Sequence, residues 1–433
     1  MKTSIVITDC TLCTDATAPL LHDQFLRISG ETIIAMGPMD DYRSQEKETR
    51  IDGRGQLLMP GLINGHNHAA MSLFRGLADD LALASWLNDH IFPAEATHVS
   101  PEMVRACSRL SAAEMILSGT TCVVDAYFFG GEACRSYTEA GLRAVVAHGV
   151  IDFPAPGLPD PSKAMAVVER FIERYQGSQP LISTGVFAHA PYTCSATTLR
   201  AAKDLADERG VPFFTHLAET KDELAMIADP QGNSPLQHLD TLGILNENCI
   251  CVHCTWLDER DLDLMAERGA HVVSCPQSNL KLAAGMAPVE QIVRRNILVG
   301  VGTDGCASNN SLDLFREMSM LAKVQKIREQ DATVLTARQA LQCATLDGAR
   351  LLGFSDLGAL EVGNRADCIL IDLRAPHLTP FYNQDLLVYS GRGSDVTTSI
   401  INGKLVMRDR QILGFNLQDA MEEVRELAAL IGS

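Results

Sequence analysis

The sequence predicts an α/β protein: a (β/α)8 TIM-like barrel with a small β-sandwich domain formed from both chain ends. Three observations point there. Eight short apolar runs of β character alternate with helix-like segments through the middle of the chain. Several of these runs end in histidine or aspartate. The two chain ends share a strand-and-turn texture that the middle lacks. Near-continuous apolar strands separated by helices are the pattern of parallel strands buried on both faces. Closing them into a barrel is the economical solution and puts the strand ends on one face. A doubly wound open sheet is the alternative that alternation alone leaves open.

Taken in order, the N-terminal part (residues 1–57) reads as short strands at Ser4–Ile7, Gln24–Ile28 and Thr32–Met36, the last two joined by the turn Ser29-Gly30-Glu31. The barrel is expected over 58–360. Its strand candidates are Leu62–His66, Thr121–Asp125, Arg143–His148, Ile182–Ala188, Pro212–His216, Ile250–His253, His271–Ser274 and Leu298–Gly302. The helices between them have recognisable ends. Ser100-Pro101 sets an N-cap before Pro at the first helical position, with a stop at Gly119. Ser195 caps a helix that runs through Lys203 to Gly210. After a helical stretch from about Thr336 to Leu352, residues 361–433 return to strands. These are expected at Asp367–Ile371, Leu386–Val388, Val396–Ile401 and Lys404–Met407, with Asn402-Gly403 as a tight hairpin turn. An amphipathic helix over Leu417–Leu430 closes the chain.

Composition narrows the class. The chain has 433 residues, 46% of them apolar and 21% charged, as in an ordinary globular enzyme. Its net charge of −18 repels phosphate backbones and anionic bilayers, so neither nucleic acid nor a membrane surface is an expected partner. No signal peptide and no spanning apolar run is evident. The 13 cysteines are scattered and odd in number, which points to reduced thiols and a cytoplasmic location. Cys249, Cys251 and Cys254 surround His253, but no second CxxC lies at zinc-site spacing, so they read as small buried residues.

The chemistry gathers at the strand ends. His66 and His68 are spaced i, i+2, so at a strand tip they face the same way. Strand five ends in His216, strand six in His253 and strand eight runs into Asp304. Three imidazoles and a carboxylate with an open position make a metal site that can activate water. Glu219, three residues past His216, is placed to lean over that site as a general acid/base if burial raises its pKa.

At this point the chain resembles the amidohydrolase superfamily, in its mononuclear deaminase branch, and within it the 5'-methylthioadenosine/S-adenosylhomocysteine deaminase family. The motifs are Pro60-Gly61-Leu62-Ile63-Asn64-Gly65-His66-Asn67-His68, Ser72-Leu73-Phe74-Arg75-Gly76-Leu77-Ala78-Asp79-Asp80 and Phe92-Pro93-Ala94-Glu95. They continue with His189-Ala190-Pro191-Tyr192, His216-Leu217-Ala218-Glu219-Thr220 and Gly302-Thr303-Asp304-Gly305-Cys306-Ala307-Ser308-Asn309-Asn310. The likeness runs over nearly the whole chain. It implies that His66, His68, His216 and Asp304 hold one divalent metal ion, zinc in the first place, with iron or manganese as alternatives. Two-metal relatives carry a bridging Lys or Glu on strand four; Ile182–Ala188 has neither.

The implied reaction is hydrolytic deamination at C6 of an adenine nucleoside. Asp304 would take a proton from the attacking water. Glu219 would deliver one to N1, and His253 would hydrogen-bond the oxygen nucleophile. Glu95 would accept the ribose hydroxyls and His189 would contact the nucleoside, with Trp86 and Phe92 as walls. Some relatives hold the amino-acid tail of S-adenosylhomocysteine with arginines after strand three. Here His148-Gly149-Val150-Ile151-Asp152-Phe153-Pro154-Ala155-Pro156-Gly157-Leu158 has none. An apolar loop suits a methylthio group better than a zwitterion. The expected substrate is therefore 5'-methylthioadenosine, with adenosine and S-adenosylhomocysteine behind it. The alternatives are another azine or base aminohydrolase of guanine, cytosine or triazine type, and a non-catalytic scaffold. The intact ligand set argues against the scaffold, and the fold is compatible with a homodimer.

Overall fold

A computed structural model describes residues 4–227 and 234–431. The chain begins with five strands: β1 (Ser4–Leu12), β2 (Leu21–Ser29), β3 (Thr32–Pro38), β4 (Glu48–Asp52) and β5 (Gln56–Pro60). The barrel strands follow as β6 (Leu62–Asn67), β7 (Thr120–Tyr127), β8 (Arg143–Val150), β9 (Ile182–Ala188), β10 (Phe213–Leu217), β11 (Cys249–His253), β12 (His271–Ser274) and β13 (Val299–Val301). Four more strands, β14 (Cys368–Asp372), β15 (Val396–Ile401), β16 (Lys404–Arg408) and β17 (Gln411–Ile412), precede the last helix, Leu417–Ala429.

The eight barrel strands pair in sequence order, each parallel to the next. Their side chains alternate as the period of two demands. Ile63, Val124, Val145, Phe187, Phe214, Ile250, Val252 and Val273 fill the interior. Val123, Val146, Val186 and Cys251 face the helices. Side chains close the seam between β6 and β13. Asn64 Nδ2 donates to Thr303 Oγ1 at 2.7 Å and the Thr303 N–H donates to Asn64 Oδ1 at 3.1 Å. The Asp304 N–H donates to the His66 carbonyl at 3.0 Å. Gly302 is needed there, because a Cβ would lie 2.9 Å from His66 backbone and Cβ atoms.

The expected sandwich is built as one mixed sheet of nine strands, in the order β17-β16-β15-β14-β5-β1-β2-β3 with β4 beside β1. β5 pairs antiparallel with β14, Met59 opposite Ile369, which joins the two chain ends. Leu12, Leu26, Ile33, Leu58, Leu370 and Ile400 share its core. Asn402 (φ 51°) and Gly403 (φ 71°) form the hairpin turn with both residues left-handed.

Two expectations need correction. Leu386–Val388 is not a strand: it lies inside a helix, Asp385–Ser390, with Leu387 and Val388 buried. A short apolar run carries no period to separate the two states. The helical stretch from Thr336 to Leu352 is two helices, Ala337–Cys343 and Leu346–Leu351, broken at Thr345 (φ −131°, ψ −97°). Ser100 and Ser195 cap their helices as expected, accepting from the N–H groups of Met103 and Thr198. Among the described residues no helix is long and apolar enough to cross a membrane.

Candidate active site

The C-terminal strand ends bring the expected ligands together. His66 is the fifth residue of β6 and His68 directly follows that strand. Their rings meet edge to face at 4.6 Å. His216 comes from β10. One ring nitrogen from each of the three lies within 4.8 Å of the others. His66 Nε2 and His216 Nε2 are 3.2 Å apart. Asp304 Oδ1 stands 3.6 Å from His66 Nε2 and 3.4 Å from His68 Nε2. Donors bound tetrahedrally to one ion at roughly 2.1 Å lie about 3.4 Å from each other, so these separations fit a single cation.

Protonation fits as well. Burial pushes His66 down to about 4 and His216 well below its ordinary value, so both imidazoles are neutral. Neutral imidazole is the ligating form. His68 donates its Nδ1–H to the Ala126 carbonyl, which leaves Nε2 as the free donor atom. Burial works to raise Asp304, but the facing His66, His68 and His253 hold it well below the usual carboxylate range. Its Oδ2 accepts from Ser278 Oγ at 2.7 Å and Ser308 Oγ at 2.8 Å, so Oδ1 faces the histidines.

Glu219 and His253 stand beside this cage. His253 ends β11 and donates Nδ1–H to Asn279 Oδ1 at 2.8 Å. Its Nε2 lies 3.8 Å from Glu219 Oε2. Burial raises the Glu219 pKa, so the carboxyl is held toward its acid form. Burial alone would lower His253, but Glu219, Asp304 and the Asn279 hydrogen bond outweigh it and raise the imidazole. Three backbones here are left-handed without being glycine: Ala218 (φ 48°), His253 (φ 74°) and Asp304 (φ 58°). Such strain concentrates where a site over-determines its residues.

The cavity beside the cage is lined by Glu95, His189, Glu219, His253 and Asp304 together with Trp86 and Phe92. Glu95 sits in the helix Phe92–His98, 5% exposed, and accepts a hydrogen bond from Tyr127 OH at 2.5 Å. His189 follows β9. Its Nδ1 meets Thr193 Oγ1 at 2.8 Å, and that hydroxyl donates to the Ala190 carbonyl. The hydroxyl therefore accepts from Nδ1–H, leaving Nε2 free as an acceptor. The far wall is the end of β8 and the loop after it: Val150, Ile151, Phe153, Pro154, Ala155 and Pro156, with Phe153 against Phe92 at 5.7 Å between ring centroids.

Sequence reasoning missed Tyr127, Asn279, Ser278, Ser308 and Glu223. Tyr127 ends β7, so following strand two to its tip would have found it. Ser278 and Asn279 lie in the middle of the short helix Pro276–Lys281 after β12. No local pattern marks Glu223, whose two partners are backbone groups. Cys249, Cys251 and Cys254 hold no metal arrangement: the first two sulfurs are 3.9 Å apart and the third donates to the Cys251 carbonyl.

Comparison with known proteins agrees with this geometry. A model of the amidohydrolase family matches residues 57–406. A 5-methylthioadenosine/S-adenosylhomocysteine deaminase of Syntrophus aciditrophicus is 45% identical over 98% of this chain and 96% of its own. A 5'-deoxyadenosine deaminase of Methanosarcina mazei is 41% identical over 92% of this chain and 93% of its own. Among solved structures, an adenosine deaminase from Xanthomonas campestris with bound zinc superposes with a TM-score of 0.95 at 38% identity, covering 99% of this chain and 98% of that one. A zinc-complexed atrazine chlorohydrolase from Arthrobacter aurescens, 22% identical with a TM-score of 0.90 over 98% of this chain and 100% of its own, shares the fold.

Proposed function

The chain belongs to the amidohydrolase family, and from that membership we propose that it deaminates an adenine nucleoside by hydrolysis, with 5'-methylthioadenosine as its preferred substrate. The observation that carries this reading is one cavity holding a four-donor metal cage, a carboxyl held toward its acid form and a second buried carboxyl. The relatives named as deaminases of 5-methylthioadenosine, S-adenosylhomocysteine and 5'-deoxyadenosine support the substrate class, and the base-only and triazine alternatives are not favoured.

His66, His68, His216 and Asp304 would hold the divalent ion, and zinc is the ion we assign, as in the Xanthomonas campestris relative. Bound there, such an ion supplies Lewis acidity that lets water act as a nucleophile at neutral pH. The remaining work falls to the chain. Glu95 accepts the ribose hydroxyls and sets the purine against the cage. Asp304, held ionised, takes the proton from the attacking water. Glu219 delivers its proton to N1 as C6 becomes tetrahedral. His253 donates from Nε2 to the oxygen on C6. Asp304 then passes its proton to the amino nitrogen, the C6–N bond breaks as the C6 hydroxyl returns a proton to Glu219 and becomes the carbonyl, and ammonia leaves. Aligned donors in a water-poor pocket are where such a site gains rate.

The loop from Val150 to Pro156 supports the methylthio preference, because it offers no cation to an amino-acid tail. All thirteen cysteines are buried and free, which supports a reducing compartment such as the cytoplasm. Metal-loaded protein incubated with 5'-methylthioadenosine, adenosine, S-adenosylhomocysteine and guanine should release ammonia from the nucleosides, fastest from the first. Release from none of the adenine nucleosides rejects the reading, and equal kcat/KM for both thioethers rejects the preference.

A further inference from the structure

Glu219 carries the proton in the reading above, yet among the described residues no hydrogen bond holds its side chain. Its ion-pair partner, His253 Nε2, stands 3.8 Å away. Its direction is therefore set by its backbone. That backbone is unusual, since the preceding Ala218 is left-handed at φ 48°, a conformation an L-residue adopts only when its surroundings impose it.

Two sets of bonds impose it. On one side the turn after His253 grips the segment from its carbonyls. The Leu217 carbonyl accepts from the Cys254 N–H at 3.0 Å, and the Ala218 carbonyl accepts from the N–H groups of Thr255 and Trp256, each at 3.0 Å. On the other side the Glu223 carboxylate accepts from both N–H groups. Its Oε2 takes Ala218 N–H at 2.8 Å and its Oε1 takes Glu219 N–H at 2.8 Å. Glu223 is 2% exposed, and its side chain does not line the substrate cavity. A buried carboxylate is costly to keep unless it is bonded. Here its two hydrogen bonds go to the residue that carries the proton and to the one before it.

We propose that Glu223 is a positioning residue for the proton donor: its two-pronged grip on the Ala218 and Glu219 amides aims the Glu219 carboxyl at N1 of the substrate. This rests on Glu219 being the proton donor of an adenine nucleoside deaminase. The grip needs two acceptors. Glutamine offers one and turns an NH2 toward the other N–H, so it breaks the clamp at nearly constant volume. Aspartate keeps the charge but, one methylene shorter, reaches only one of the two groups.

The test uses the metal-loaded full chain as wild type, Glu223→Gln, Glu223→Asp and Glu219→Gln. Four quantities are read for each: kcat, KM for 5'-methylthioadenosine, bound metal per chain, and the solvent deuterium isotope effect on kcat. For Glu223→Gln we expect kcat to fall by about 10²-fold, the scale of an ångström-level misplacement. KM should stay within about threefold and metal content unchanged, because neither substrate walls nor ligands are touched. The isotope effect should rise as proton delivery becomes limiting. Glu223→Asp should fall between Gln and wild type. A kcat within about threefold of wild type overturns the proposal. So does a loss in which kcat, metal content and melting temperature fall together with an unchanged isotope effect, and so does failure of both variants to fold. The controls keep the readings apart. No ammonia from the wild type rejects the deaminase reading, an active Glu219→Gln rejects the proton donor, and any of the overturning Glu223 outcomes beside an active wild type and an inactive Glu219→Gln rejects the clamp alone.

Discussion

Arg143, the first residue of β8, and Asp367, just before β14, form a buried bidentate ion pair between the barrel and the small sheet. Arg143 Nε meets Asp367 Oδ2 at 2.8 Å and Nη2 meets Oδ1 at 3.0 Å, with both side chains almost fully buried. Asp367 Oδ1 also accepts the Asn402 N–H at 2.7 Å, and Arg143 Nη2 reaches Asn402 Oδ1 at 3.0 Å. Removing one partner strands the other charge, which costs about 3–5 kcal/mol. Arg143→Met should therefore lower stability by that amount in a denaturant titration. Arg143→Met/Asp367→Asn should recover part of it, and a single variant that melts like wild type contradicts the pair's role.

Removing the metal should act on stability as well as on turnover. A ligand at 100 times its Kd adds about 2.7 kcal/mol to the folded state. Exhaustive chelation should abolish ammonia release and lower the melting temperature, and adding zinc back should restore both. His216→Ala should bind less metal and lose the chelator-sensitive part of the melting temperature. If His216→Ala retains stoichiometric metal, that histidine is not a ligand.

The substrate-side carboxyl should show itself in the pH dependence of KM. Burial pushes Glu95 up to about 7, with the Tyr127 hydrogen bond working in the opposite direction. The ionised carboxylate offers both oxygens as acceptors to the ribose hydroxyls, whereas protonation turns one of them into a donor and weakens the pair. KM for 5'-methylthioadenosine should therefore rise as pH falls through about 7. Tyr127→Phe removes the opposing hydrogen bond, so the same rise should start at higher pH. Glu95→Gln should flatten the profile. The stability sign is opposite: because the folded pKa lies above the unfolded one, Glu95's contribution is complete below the unfolded value and lost as pH rises through about 7. The protein is least helped by this residue in the range where the residue binds.

Tail selectivity should respond to charge at the mouth of the cavity. Phe153 is half-exposed there, so Phe153→Arg can be accommodated. A guanidinium in reach of the amino-acid carboxylate is worth about 1.5 kcal/mol or more, roughly tenfold. The kcat/KM ratio of S-adenosylhomocysteine to 5'-methylthioadenosine should rise by about that factor. An unchanged ratio places the tail elsewhere.

The strands that carry chemistry were legible because each combines a buried apolar run with a polar tip, as in Ile250–His253. Periodicity placed His66 and His68 on one side, and they lie edge to face. What stayed hidden was whatever depends on contacts distant in sequence. Asn64 gives no local sign that it joins Thr303 across the seam. The expectation at Leu386–Val388 failed because three apolar residues pack equally well as one face of a helix turn. Glu48–Asp52 was missed because its partner, β1, is distant in sequence and its own run is mostly polar.

The thirteen free thiols make the molecule its own gauge of opening. Every one is buried, and burial pushes Cys10, Cys107, Cys122 and Cys306 up to about 12. Thiolates are the reactive form, so the native fold is chemically silent toward alkylating reagents. The cysteines are spread over the small sheet, the barrel interior and the helix layer. The order in which they become alkylated under mild destabilisation therefore maps, without any engineered label, which layer loosens first.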